Sequence, residues 1–379
     1  MRIGFFTDTY LPTPTGTSVT VENYRKALHA RGHDVYVVAP EFPHYQDQSD
    51  AIIRIPSVFL PNRPESPIAK PVGGKQKQQI LELELDIIHT FSLYNIGLCA
   101  LDLSKHSHKP LVFTFDALYT EHTKNYRPIF KPMARIWYQR ALRHYANSSQ
   151  TVIVPTPSVK NLACQYGIVT PVEIVPAGIN ADDYTAITPS TLRTKFSIPE
   201  GQRVLLYVGR LDEESNVRFL LRAFREVWFK RENTHLLIIG RGPQEDLFQK
   251  IVKRQPFGDN VTFAGFMPKG ELNKVYGAAD VFVFPSTTAT QALAVIEAMA
   301  AGLPPVAINR LGPSNIIRDD EDGYLTPLNE KQFSDKIIYL LENDKIRNHF
   351  GRIARDHAKK FSIEHSVENL LKIYQQLLK

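Results

Sequence analysis

Cysteine is nearly absent from this chain of 379 residues: only Cys99 and Cys164 occur, in apolar surroundings and without a CxxC or metal-like spacing. A disulfide framework and a structural zinc site are therefore unsupported, and a reducing compartment is expected. Long apolar runs are missing too. The opening run at residues 3–6 breaks at Thr7 and Asp8, and no uninterrupted stretch reaches the ~18 residues that would suggest a membrane span. Neither a secretion signal nor a spanning helix is expected, and the reading is cytoplasmic. Charge of one sign is not in excess either. The 45 Lys and Arg against 39 Asp and Glu leave a net +6, mild for this length. That argues against a nucleic-acid binder and suits an anionic ligand or membrane surface. Internal repeats and low-complexity tracts are also absent.

What is present is an ordinary globular composition, 43% hydrophobic and 22% charged, over a length that suggests two large domains. Short β-rich runs at residues 3–6, 35–39, 52–55, 87–89, 111–115, 151–154 and 174–175 alternate with helical patterns. Such alternation predicts βαβ units around a parallel sheet with both faces covered. Residues 180–202 carry prolines and small polar residues and read as a linker. A second series follows, with strands at residues 204–208, 235–239, 261–263, 281–284 and 306–308. The fold class is α/β, with a Rossmann-like doubly wound domain over residues 1–185 and another over 186–379. The run 366–378 places Val367, Leu370, Leu371, Tyr374, Leu377 and Leu378 on one helical face, a helix able to pack back on the first domain.

Several positions carry chemistry. The first βα connection, residues 7–20, holds Pro12, Pro14 and Gly16 ahead of a helix expected near Val19. A glycine there lets backbone amides approach a phosphate, although a flexible turn explains the same residues. Arg210, in Val208-Gly209-Arg210-Leu211, leaves a strand at the sheet's carboxyl edge, where a guanidinium can hold a diphosphate. Gln291, Ala292 and Leu293 open a helix whose first amides form an anion site, with Glu297 further along. Residues 126–145 interleave Arg127, Lys131, Arg135, Arg140 and Arg143 with Phe130, Ile136, Trp137, Tyr138 and Leu142. That helix either lies on an anionic membrane or packs into its own domain.

Read in order, MRIGFFTDTYLP, GHDVYVVAP, IVPAGIN, YVGRL, IIGRGP, FAGFMP, AADVFVFPSTTATQALAVIEAMAAGLPPVA and DGYL make the chain resemble family 4 of the retaining nucleotide-sugar glycosyltransferases. The resemblance covers essentially the whole length. It implies the GT-B fold, two Rossmann-like domains facing across a cleft. It also implies retaining transfer of a sugar from a nucleotide donor, read as UDP-linked, to a lipid-linked or glycan acceptor, without a metal or other cofactor. In that family Gly16 corresponds to the loop glycine near donor phosphate and Arg210 to the arginine on the diphosphate. Glu297 matches the second glutamate of E-x7-E, on the ribose hydroxyls, and the segment containing Arg241 and Gly242 lines the nucleobase side.

Four positions depart from the family pattern. Ser215 stands where a diphosphate-binding lysine belongs, and Ala289 replaces the first glutamate of E-x7-E. Phe91 replaces the second histidine of a histidine-threonine-histidine string, and Asp116 stands where an active-site histidine is usual. Losing cationic or donor groups beside a departing diphosphate costs roughly 2–4 kcal/mol each in the transition state. Downstream, His122 and Lys124 are candidates to compensate. Two functions follow: a retaining hexosyltransferase with a diverged site containing catalytic Asp116 and Arg210, or an impaired relative acting as a nucleotide-binding scaffold for an active partner enzyme.

Overall fold

A computed structural model describes residues 1–379 except 14, 44, 48, 61–62, 117–130 and 185–187. The chain folds as two compact units, Met1–Gly178 with Ile363–Lys379, and Ile179–Ser362. Division falls at Gly178/Ile179 rather than at 185/186. Ile179 and Tyr184 are buried in the core of the second unit, so the residues between them are already part of it. Ile179 also donates its N–H to the Phe361 carbonyl and bridges to Ser362, which ties the two crossings of the chain together.

Among the described residues, the first unit is built on seven parallel strands: β1 (Arg2–Phe6), β2 (Asp34–Pro40), β3 (Ile52–Ile55), β6 (Ile87–Thr90), β7 (Leu111–Thr114), β8 (Thr151–Val154) and β9 (Val172–Ile174). They lie in the order β3-β2-β1-β6-β7-β8-β9. Strands β4 (Ser57–Leu60) and β5 (Arg63–Ala69) form a separate antiparallel hairpin that the sequence reading did not anticipate. Helices α1 (Gly16–His29), α2 (Gly74–Leu81), α3 (Asn95–Ser107), α4 (Lys131–Asn147) and α5 (Pro157–Gln165) connect the strands. Alternate strand residues face opposite sides of the sheet, and both sides are apolar. Phe6, Phe113 and Val154 pack with Ile96, Ala100, Leu142 and Ala146 of α3 and α4. Phe5, Val112 and Ile153 pack with Val21 and Leu28 of α1 and with Val367, Leu370 and Tyr374 near the C-terminus.

The second unit repeats this plan. Its strands β10 (Arg203–Val208), β11 (Thr234–Ile239), β12 (Val261–Phe263), β13 (Val281–Phe284), β14 (Pro305–Ile308) and β15 (Tyr324–Thr326) are parallel, in the order β12-β11-β10-β13-β14-β15. The helices are α6 (Pro189–Phe196), α7 (Val217–Lys230), α8 (Glu245–Val252), α9 (Lys269–Tyr276), α10 (Leu293–Ala300), α11 (Pro313–Ile316), α12 (Glu330–Glu342) and α13 (Asp344–Ala358). α6 occupies what reads as a linker: Thr188 caps its start, Pro189 sits at its first turn, and Leu192 is buried. The last helix, α14 (Ile363–Leu377), returns to the first unit and contacts α1.

Each sheet reverses its strand order once, between β1 and β6 in the first unit and between β10 and β13 in the second. The carboxyl ends of the strands flanking such a reversal splay their connections to opposite faces and leave a crevice, where ligands of open α/β sheets bind.

Candidate functional site

In the first unit, Thr15 and Ser18 form a reciprocal capping box, so α1 begins at Gly16 rather than near Val19. Gly16 is exposed, and a Cβ added there would meet nothing within 4 Å. The fold itself makes no demand for glycine at this position. Next to it, Thr17 Oγ1 donates to Asp116 Oδ2 at 2.7 Å, which brings the carboxylate at the end of β7 to the start of α1. Burial pushes the Asp116 carboxyl up to about 6, against the opposing pull of the Thr17 hydroxyl.

Asp8, which the sequence reading did not single out, lies just beyond β1. Ser92, just beyond β6, donates its hydroxyl to Asp8 Oδ2 and so crosses the reversal point. Burial raises the Asp8 carboxyl to about 7, while the backbone amides of Ile96 and Tyr94 at the start of α3 pull it down. Two carboxylates with pKa values near neutrality therefore sit at the carboxyl edge of one sheet. His89 is different. It is buried, with Nδ1 2.6 Å from the Tyr374 hydroxyl and Nε2 2.7 Å from Thr114 Oγ1, and burial lowers its pKa to about 3. Phe91 stacks on the His89 ring at 4.3 Å and is buried, so this string forms core rather than a ligand surface. His122 and Lys124 lie outside the described residues.

In the second unit, Asp212 gathers the residues after β10. The Arg210 Nε donates to Asp212 Oδ2 at 3.0 Å, and the Ser215 amide and hydroxyl donate to Oδ1 at 2.9 and 2.7 Å. The Arg210 side chain remains 42% exposed, so its other nitrogens are accessible. Ser215 supplies no charge where a lysine would, and its hydroxyl is engaged by Asp212. Across the reversal point, Asn216 Nδ2 donates to the Pro285 carbonyl at 3.1 Å, while Ser286 and Thr288 donate to the Glu214 carbonyl at 3.4 and 3.3 Å. These bonds lace the loop after β10 to the loop after β13.

Ala289 is partly buried and its carbonyl accepts the Gly312 N–H at 2.9 Å. A side chain on Gly312 would collide with the Gln291 backbone, so the loop after β14 supports the start of α10 from beside it. Ala292 caps α10 at φ 65° and ψ 60°, a left-handed conformation costly for a residue with a Cβ. No side chain caps that end, and the amides of Leu293 and Ala294 open the helix toward an anion, while the Val295 N–H donates to the Ala292 carbonyl at 2.9 Å. Gly242 has a packing reason of its own: a Cβ there would strike the Leu211 backbone, whose N–H donates to the Arg241 carbonyl at 3.0 Å.

Glu297, on the second turn of α10, accepts a hydrogen bond from the Tyr276 hydroxyl at 2.8 Å through Oε2. Burial raises its pKa, and Lys269 and the hydroxyls of Tyr276 and Tyr184 oppose that rise. The carboxyl edge of this sheet thus offers a guanidinium, uncapped helix amides and a carboxylate. That set can hold a phosphate group by charge and a diol by acceptor oxygens. Among the described residues, no group of three or more His, Cys, Asp or Glu could hold a metal ion.

Residues 14–183 match the sequence profile described as Glycosyltransferase Family 4, and residues 190–357 match that of Glycosyl transferases group 1. The chain belongs to glycosyltransferase family 4. Its fold is GT-B, two parallel-sheet Rossmann-like domains. Among relatives of this family 4 chain is alpha-monoglucosyldiacylglycerol synthase of Acholeplasma laidlawii, 26% identical over 100% of this chain and 98% of that protein. The enzyme of the same name from Streptococcus pneumoniae is 28% identical over 86% of this chain and 75% of its own length. Among solved structures, sucrose-phosphate synthase from Thermosynechococcus elongatus superposes with a TM-score of 0.81 at 20% identity, covering 99% of this chain and 98% of that one. Anabaena HepE, solved in complex with UDP and glucose, gives 0.79 at 17% identity, covering 99% and 100%.

Proposed function

We propose that this family 4 chain transfers a hexose from a UDP-sugar to a lipid-linked acceptor with retention of configuration, without a metal. What supports the reading is the carboxyl edge of the second sheet, whose connections carry Arg210, the uncapped start of α10 and, on the second turn of that helix, Glu297. Negative charge develops on the leaving diphosphate as the glycosidic bond breaks, and Arg210 with the first amides of α10 offsets it. Glu297 holds the ribose hydroxyls. Asp116, with its carboxyl near 6, is ionised at neutral pH and accepts a hydrogen bond from a sugar hydroxyl. Similarity to the two alpha-monoglucosyldiacylglycerol synthases favours a lipid acceptor, and the UDP and glucose in HepE favour the donor.

α4 supports a membrane-bound acceptor. Its 17 residues rise about 25 Å, against about 13 Å for the four-residue strand β8 that follows it. The second half of the helix packs Leu142, Tyr145 and Ala146 into the core, whereas Met133, Ile136 and Trp137 on the first half are exposed. Exposed Arg135, Arg140 and Arg143 share the helix. Residues 126–130 of the basic and aromatic segment lie outside the described residues. No described helix is long and apolar enough to cross a membrane, and an apolar stripe among arginines suits the interface of an anionic bilayer.

A second reading, an impaired nucleotide-binding scaffold beside an active partner enzyme, draws on Ser215. Its hydroxyl and amide are bound to the same carboxylate that engages Arg210, so positive charge is depleted at the phosphate position. Assaying the full chain against UDP-hexoses with diacylglycerol-type and glycan acceptors separates the two. Turnover that falls at least a hundred-fold in Arg210→Ala, with an α-linked product by NMR, supports the transferase. UDP binding without turnover under every donor and acceptor supports the scaffold. If the site is eroded, restoring Ser215→Lys, Ala289→Glu and Asp116→His together raises donor turnover above wild type, and a fall in rate marks a rebuilt site instead.

A further inference from the structure

Glu297 cannot do its proposed work merely by being present. A carboxylate that is to accept hydrogen bonds from a diol must be ionised and held, and burial opposes both. Two tyrosines surround it. Tyr276, the last residue of α9, is fully buried and donates to Oε2 at 2.8 Å. Tyr184, just after the turn at Ala181–Asp183, is 5% exposed; its hydroxyl makes no well-formed hydrogen bond, and its pull on the Glu297 carboxyl is weaker than that of Tyr276. The rings of the two tyrosines meet edge to face at 6.0 Å. The bond from Tyr276 engages Oε2 rather than Oε1.

We infer that Tyr276 is a positioning residue for Glu297: its hydroxyl fixes Oε2 and favours the carboxylate form, so that Oε1 is presented to the vicinal hydroxyls of a nucleotide ribose. This rests on the ribose role proposed above. Other charged groups near α10 do not substitute for it. Lys269, also on α9, acts on Glu297 through its charge, and Asp183 acts on Tyr184. Arg355 of α13 bonds the Ala301 carbonyl at the far end of the helix. The flanking strands β13 and β14 and helix α11 bring only apolar or neutral side chains.

The two tyrosines make an internal control, because removing either hydroxyl leaves the ring in place. Carbon-13 NMR of the full chain labelled in glutamate carboxyls, with Glu297→Gln to assign the signal, reads the titration directly. Tyr276→Phe removes a donor from the ionised form and raises the Glu297 midpoint by about one pH unit, since a hydrogen bond to a charged group has roughly that effect. Tyr184→Phe removes the weaker of the two hydroxyl influences and moves the midpoint less. Fluorotyrosine at position 276 is a stronger donor and moves the midpoint down, which keeps the test available should the phenylalanine variant fold poorly. In parallel, UDP affinity measured from pH 4 to 8 loses its acid limb earlier in Tyr276→Phe, by about ten-fold on the acid side, with convergence on the alkaline plateau. A midpoint that does not move, or that moves equally in both tyrosine variants, overturns the positioning role. A midpoint that moves while UDP affinity is unaffected by pH or by Glu297→Gln leaves the positioning role standing and removes the ribose assignment.

Discussion

Ionising a buried carboxylate costs free energy, and Asp8 makes that cost measurable. Its folded-state pKa is raised from 3.8 to about 7. Protonation therefore stabilises the folded chain, a contribution complete below the unfolded value and lost as pH rises through 7. Asp8→Asn keeps the shape and removes the charge. Its melting temperature should exceed that of wild type at pH 8, with the gap narrowing by pH 5 and closing near the unfolded value of 3.8; a gap of equal size at pH 8 and pH 5 would exclude Asp8 as the source. Ala292 stores strain of another kind. At φ 65° its Cβ opposes the backbone, so Ala292→Gly should stabilise the chain by about 0.5–1 kcal/mol despite the entropy that glycine adds to the unfolded state. Denaturant titration at constant slope checks this, and a loss of stability would show that the methyl group packs usefully.

Neither Asp8 nor Tyr276 could be read from the sequence, because each acquires its role from a partner that only the fold supplies. Ser92 is 84 residues from Asp8, and Glu297 is 21 from Tyr276 on a different helix. Arg210 and the start of α10 were legible because a strand end followed by a helix start fixes a location whatever packs around it. The same distinction runs through the elements. Strands such as Val281–Phe284 are apolar throughout and buried on both faces, so composition alone marks them. The hairpin of β4 and β5 escaped notice because Pro64 and Pro67 argue against a strand, yet a two-stranded ribbon has an open side on which a missing N–H is tolerated. α6 was hidden by the same residue type, although proline after a threonine cap is a helix-start signal. At this scale α4 carries the sharpest expectation. Ile136 and Trp137 are 50% and 62% exposed, so changing both to Glu should leave the melting temperature within a degree or two. Co-sedimentation with vesicles containing phosphatidylglycerol should fall several-fold, and the binding left to the arginines should weaken further with salt. Unchanged binding would return the helix to an ordinary solvated face.

In the whole molecule, the first unit is assembled from both ends of the chain. α14 buries Val367, Leu370, Ile373 and Tyr374 against the β1 side of the first sheet, and Tyr374 supplies one of the two partners of His89. At roughly 1.5–3 kcal/mol for each fully buried side chain, their loss is comparable with the entire stability of a typical domain, about 5–15 kcal/mol. Removing Ile363–Lys379 should therefore unfold the first unit and spare the second. Hydrogen exchange by mass spectrometry checks this: protection should vanish from β1, β6 and β7 and persist in β10 and β13, and uniform loss would refute it. The arrangement also sets an order of events during synthesis. The second unit is continuous from Ile179 to Ser362 and can close as soon as it leaves the ribosome. The first unit, although translated earlier, keeps Ile3, Phe5 and Val21 without part of their cover until α14 emerges. For that interval the nascent chain carries a sticky face on its first unit, and chaperone capture should concentrate there rather than on the newest residues.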